Sequence, residues 1–187
     1  MKRASIIIGT LFIFTGLVVS VYLNLAVLQD GTGNGSSAQW GRQEQRLVDE
    51  MCADAETDEE KVIIIYHWII ENIEYDYKYD MAYQHFDINR VLRTKKGVCF
   101  DYANLFAVFC RSQNIKCYVV DGYLRQDRSV QHTWNRVFYN GTWWNLDVTN
   151  DATCYRSGET PYGFHKLGSY SQEDPDYVIT RVYYNRY

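Results

Sequence analysis

QHTWNRVFYNGTWWNLDVT, residues 131–149, consists of two alternating runs around an Asn-Gly pair. Asn140-Gly141 is the strongest short hairpin signal, because both residues tolerate the positive φ that a type I′ turn demands. A two-residue turn sets the register: Tyr139 faces Thr142 and Phe138 faces Trp143. Continuing outward, Trp134 faces Asp147 and His132 faces Thr149. Alternate residues share a face, so His132, Trp134, Asn145 and Asp147 point the same way. His132 and Asp147 become diagonal neighbours, about 7–8 Å apart at the backbone. Their side chains can close that gap. A one-residue slip would break the agreement. The hairpin therefore predicts an imidazole oriented by a carboxylate.

Upstream, RTKKGVCFDYANLF (93–106) turns at a glycine and puts Cys99 at the mouth of an apolar run. Cys99, Tyr102, Ala103, Phe106, Ala107 and Cys110 recur at helical spacing, and Asn114 ends the helix as a left-handed cap. A thiol in a first helical turn sees unpaired N–H groups and the positive end of the dipole, which both favour a thiolate. The helix must bury its stripe on the sheet. If it packs on the His132 face, thiol, imidazole and carboxylate converge as nucleophile, base and orienter. The Asp101 carboxylate is expected to point away from Cys99, toward a backbone or Tyr partner.

The remaining elements fit around these two. QWGRQEQRLVDEMCADA reads as a helix, and TDEEKVIIIYHWIIENIEYD as a buried one opened by a Thr57/Glu60 capping box. YDYKYDMAYQHF reads as an ordered loop, and DINRVLRT as a short helix capped by Asp87. IKCYVVDGYL is a strand. The tail is expected to be irregular from Asp151 until a last strand, DYVITRVYY. Helices followed by antiparallel strands make the class α+β.

Composition sets outer bounds. The 187 residues are 47% hydrophobic and 16% aromatic, with 17 Tyr and two Pro, which describes a folded globular chain. A net charge of −4 without a dense basic patch argues against a nucleic-acid partner. Lys2 and Arg3 precede a run with no charge until Asp30. Residues 1–28 therefore read as a transmembrane anchor, with a cleaved signal segment as the alternative. Either places the domain outside the cytoplasm: membrane-anchored, or secreted after cleavage. QDGTGNGSSA (29–38) is a flexible linker, and the domain spans 39–187. Cys110 and Cys117 read as core residues, although an extracytoplasmic setting permits a disulfide between them. Cys52 and Cys154 carry no assignment. His67, His85 and His165 have no partners at ligand spacing, so the reading includes no metal and no cofactor.

KGVCFDYANLF and QHTWNRVFYNGTWWNLDVTND resemble the nucleophile, His and Asp motifs of the transglutaminase-like superfamily, a branch of the papain-like thiol fold. YHWIIENIEYDY resembles the helix that precedes the nucleophile in that family. The likeness covers about Thr57 to Asp151. It implies a helix carrying Cys99 packed on an antiparallel sheet carrying His132 and Asp147. It also implies thiol chemistry on protein or peptide amides: transglutamination, deamidation or hydrolysis. Animal transglutaminases also carry an upstream Trp and calcium sites. Here Trp68 lies inside the upstream helix, and no loop has a calcium pattern. The Cys99 N–H is one expected oxyanion donor; Tyr83 and Gln84 are candidates for the second, and Trp134 for flanking the substrate. The competing readings are a non-catalytic module that keeps the fold to bind surface peptides or cell-wall polymer, and a scaffold joined by an interchain disulfide.

Overall fold

The computed structural model describes residues 39–78, 86–161, 163, 165–166 and 177–183. The expected membrane or signal segment at 1–28, the linker at 29–38, and Tyr83, Gln84 and His85 lie outside these residues. Among the described residues no helix is long and apolar enough to cross a membrane.

Helices α1 (Arg42–Met51) and α2 (Asp58–Asn72) lead the domain. Thr57 Oγ1 accepts from Glu60 N at 3.2 Å, and the Glu60 carboxylate accepts from Thr57 N at 3.0 Å, which completes the capping box. Val62, Ile65, Tyr66, Ile69 and Ile70 bury the inner face of α2. Its last carbonyls are satisfied from a distance. Tyr102 Oη and Arg156 Nη2 both donate to Ile73 O, at 2.6 and 2.8 Å. Strand β1 (Glu74–Tyr75) pairs in parallel with β2 (Lys96–Gly97). Between them lies α3 (Ile88–Thr94), capped by the Asp87 side chain. Helix α4 (Cys99–Ser112) starts directly after β2, and Asn114 follows it at φ 60 in the left-handed region.

Strands β3 (Lys116–Leu124), β4 (Gln131–Tyr139), β5 (Thr142–Leu146), β6 (His165–Lys166) and β7 (Tyr177–Tyr183) form one antiparallel sheet in the order β6-β5-β4-β3-β7. The class is α+β. Asn140 and Gly141, at φ 50 and 70, make the expected turn, with Tyr139 opposite Thr142 and Phe138 opposite Trp143.

The register departs from expectation further out. The β4–β5 ladder ends at Asn135/Leu146, so the Trp134–Asp147 and His132–Thr149 pairs do not form. Asp147 instead caps a new helix, α5 (Val148–Ser157), accepting from Asn150 N at 3.0 Å. Gly158 stops that helix at φ 79. The irregular tail expected from Asp151 therefore begins inside a helix.

The core lies between α4 and one face of the sheet. Phe106 and Cys110 pack with Val119, Val137 and Leu146. Asn135 Nδ2 ties this face to the helix by donating to Ala103 O at 2.9 Å. Strand alternation puts His132 and Trp134 on the other face. The condition that α4 pack on the His132 face is therefore not met. His132 is the second residue of β4 and Cys99 the first of α4, so the two meet at the end of the sheet.

Candidate active site

Cys99 opens α4, where its backbone N–H has no partner inside the helix. The approach is fixed by short-range packing. Asp101 Oδ2 accepts from Val98 N at 3.0 Å, and its Oδ1 takes Arg90 Nη2 at 2.6 Å. The carboxylate thus turns to the backbone as expected, but its side-chain partner is Arg90 rather than a tyrosine. Gly97 permits this: a Cβ there would lie 2.7 Å from Asp101 Cβ.

His132 Nε2 and Asp147 Oδ2 are 2.6 Å apart. The contact survives the change of register because the cap turns Asp147 back toward β4. With Nε2 committed, the second ring nitrogen is left for the thiol, and Cys99 lies near enough to His132 to raise the ring's pKa. Burial alone would lower the His132 pKa. The Asp147 charge and hydrogen bond, with a smaller contribution from Cys99, override it and raise the value to about 10. Burial would raise the Asp147 pKa, but the His132 charge and hydrogen bond, the Tyr177 hydroxyl and Asn150 N–H hold it below the usual range. The Asp147 carboxylate favours the charged form of the imidazole, and Cys99, beside it, is only 4% exposed.

Two neighbours escaped the sequence reading. Tyr177 donates from Oη to Asp147 Oδ2 at 2.5 Å, and its ring stacks on His132 and Trp134. Tyr75 lies near Cys99: burial above all, with Cys99 and Tyr77 nearby, raises its pKa. Tyr75 sits on β1, whose pairing with β2 brings it beside the cysteine; its place in YDY next to the buried helix was the available signal. Trp134 is 1% exposed, and its ring stacks on His132.

All five cysteines are free thiols. Cys110 and Cys117 are fully buried, and burial together with Cys117 pushes the Cys110 thiol well above its ordinary value. Burial also raises Cys52 and Cys154. Among the described residues no group of three His, Cys, Asp or Glu side chains could hold a metal ion.

A Cys at a helix tip beside a His–Asp pair on an antiparallel sheet defines a class of thiol-enzyme fold. The pattern of the transglutaminase-like superfamily matches residues 45–148, and the chain belongs to that family. It is 34% identical over 114 residues to the kyphoscoliosis peptidase of Homo sapiens, covering 55% of this chain and 17% of that protein. The chain thus spans about a sixth of that relative's length. Its fold matches a candidate cysteine protease from Cytophaga hutchinsonii with a TM-score of 0.55 at 18% identity, over 79% of this chain and 57% of the other. It also matches the periplasmic domain of TgpA from Pseudomonas aeruginosa, with a TM-score of 0.52 at 21% identity, over 64% and 49%.

Proposed function

We propose that the domain is a thiol-dependent acyltransferase or amidohydrolase acting on protein or peptide amides, with Cys99 as nucleophile, His132 as base and acid, and Asp147 as orienter. The observation that carries this reading is the 2.6 Å His132–Asp147 bond, with Cys99 at the start of α4 close enough to the same imidazole to raise its pKa. Cys99 Sγ attacks a carboxamide or peptide carbonyl, and the oxyanion forms against the Cys99 N–H. The imidazolium then gives its proton to the leaving amine, which leaves a thioester on Cys99. Water or a second amine attacks the thioester, loses a proton to His132 and frees the thiol. Asp147 holds the ring plane and balances its charge throughout. The peptidase relative supports chemistry on peptide bonds. The TgpA likeness and the apolar N-terminal run support a domain outside the cytoplasm, tethered to a membrane or secreted.

Mass spectrometry of the protein incubated with a labelled amine and a glutamine-peptide library distinguishes the outcomes. Amine transfer, deamidation or cleavage that disappears in Cys99→Ala is expected. A library unchanged by wild type would favour the non-catalytic surface-binding module.

A further inference from the structure

Tyr177 lies on β7, beyond the residues matched by the family pattern, yet it reaches the centre of the site. Its hydroxyl donates to Asp147 Oδ2, the same oxygen that His132 Nε2 holds. Oδ1 accepts from Asn150 N at 3.0 Å. Three donors from three elements thus fix one carboxylate: β4 through His132, β7 through Tyr177 and α5 through its first turn. The Tyr177 ring also lies nearly parallel to His132, with centroids 5.5 Å apart and planes at 19°. It stacks on Trp134 at 4.6 Å and 27°. Aromatic faces against an imidazolium favour its charge and resist tilting of the ring.

Gly122 makes this reach possible. It sits in β3 between the strands that carry the rings, opposite His132 on one side and Ile179 on the other. A Cβ at Gly122 would fall 2.7 Å from Trp134 Cη2 and 2.1 Å from Val178 O. With no side chain in the middle strand, the rings of Trp134 and Tyr177 meet over it, and β7 shifts register there.

We propose that Tyr177 is a fourth member of this site, a positioning residue that fixes Asp147 through its hydroxyl and the His132 imidazole through its ring. The inference rests on the acyl-transfer reading for its purpose, but the linkage itself can be measured without any turnover. Tyr177 contacts Asp147 through its hydroxyl and His132 and Trp134 through its ring. It acts through Asp147, whose anion it stabilises. Removing the O–H makes that carboxylate easier to protonate, and protonation of Asp147 releases the imidazole.

Tyr177→Phe keeps the ring and loses only the hydroxyl; Tyr177→Leu loses both. The Asp147 carboxyl, followed by carbon NMR against pH, is expected to titrate about one unit higher in Tyr177→Phe, roughly the tenfold carried by one hydrogen bond to a charge. Cys99 alkylation by iodoacetamide should lose its acid limb at the same higher pH. At neutral pH it should be about tenfold slower in Tyr177→Leu than in Tyr177→Phe, because the ring support is also gone. A role confined to packing would leave the Tyr177→Phe titration in place, and that result overturns the proposal. Should the variants not fold, the wild-type protein still decides. A deuterium isotope shift on the Asp147 carboxyl from the Tyr177 hydroxyl is expected, and its absence overturns the proposal equally. Wild type that turns over no amide but shows this linkage would refute the acyl-transfer reading and leave the linkage standing.

Discussion

His132 and Asp147 stabilise each other's charged forms, and the direction of each shift sets a pH window. The native His132 pKa is raised from 6.5 to about 10, so its contribution to stability is complete below 6.5 and is lost as pH climbs toward 10. The native Asp147 pKa is lowered from 3.8, so its contribution is present above 3.8 and is lost as pH falls through the native value. Urea unfolding of wild type and His132→Gln should therefore differ most between about pH 4 and 6.5 and converge near pH 10. A stability gap that does not change with pH would mean that the pair does not titrate as described. At the same scale, Asp101 serves the start of α4. Asp101→Ala strands the Val98 N–H and leaves Arg90, which is 20% exposed, without its carboxylate. Thermal denaturation should report a loss of about 1–3 kcal/mol. The alkylation rate of Cys99 should fall with it as the first turn frays.

Among the elements, the hairpin was legible because its information is local. Asn140-Gly141 dictates a turn, the turn dictates the pairs beside it, and Thr57 and Asp87 announce their helices by side-chain capping alone. The end of β5 was not legible by the same rule. Extending the ladder past Leu146 treats Asp147 as a strand residue, whereas its carboxylate finds a better use as a cap for Asn150 N–H. Asp147 followed by a stop at Gly158 was the available signal for α5. The register error did not disturb the His132–Asp147 contact, because the cap swings the carboxylate back to the imidazole. Gly122 is the counterpart in β3, a residue whose value lies in what its neighbours place over it. Gly122→Ala should cost about 1–3 kcal/mol by overpacking. It should also separate the Trp134 and Tyr177 rings, seen as a change in near-ultraviolet circular dichroism. Unchanged spectra and stability would show that the strand can make room.

Across the whole molecule, the sheet uses both faces. One carries the hydrophobic core under α4, through Val119, Val137 and Leu146. The other carries the ring stack of His132, Trp134 and Tyr177. Sequence periodicity showed that alternate residues share a face, but which face α4 covers depends on how elements far apart in the chain pack. The same limit hid Tyr177. It pairs opposite Leu124, and nothing near it in sequence indicates Asp147 as its partner. Cys99 and Asp147 stood out because helix starts and tight turns are local features. Tyr75 and Tyr177 are each placed by strand pairing with residues distant in the chain.

The central claim is that Cys99 reacts as part of a unit with His132, and its reactivity tests this most directly. Intact-mass measurement of iodoacetamide adducts at pH 6 should show rapid single labelling at Cys99 in wild type. In His132→Ala the labelling should be at least about tenfold slower, since a thiol without an adjacent imidazolium is mostly protonated at that pH. Equal slow labelling of both proteins, or a first adduct on another cysteine, would contradict the account.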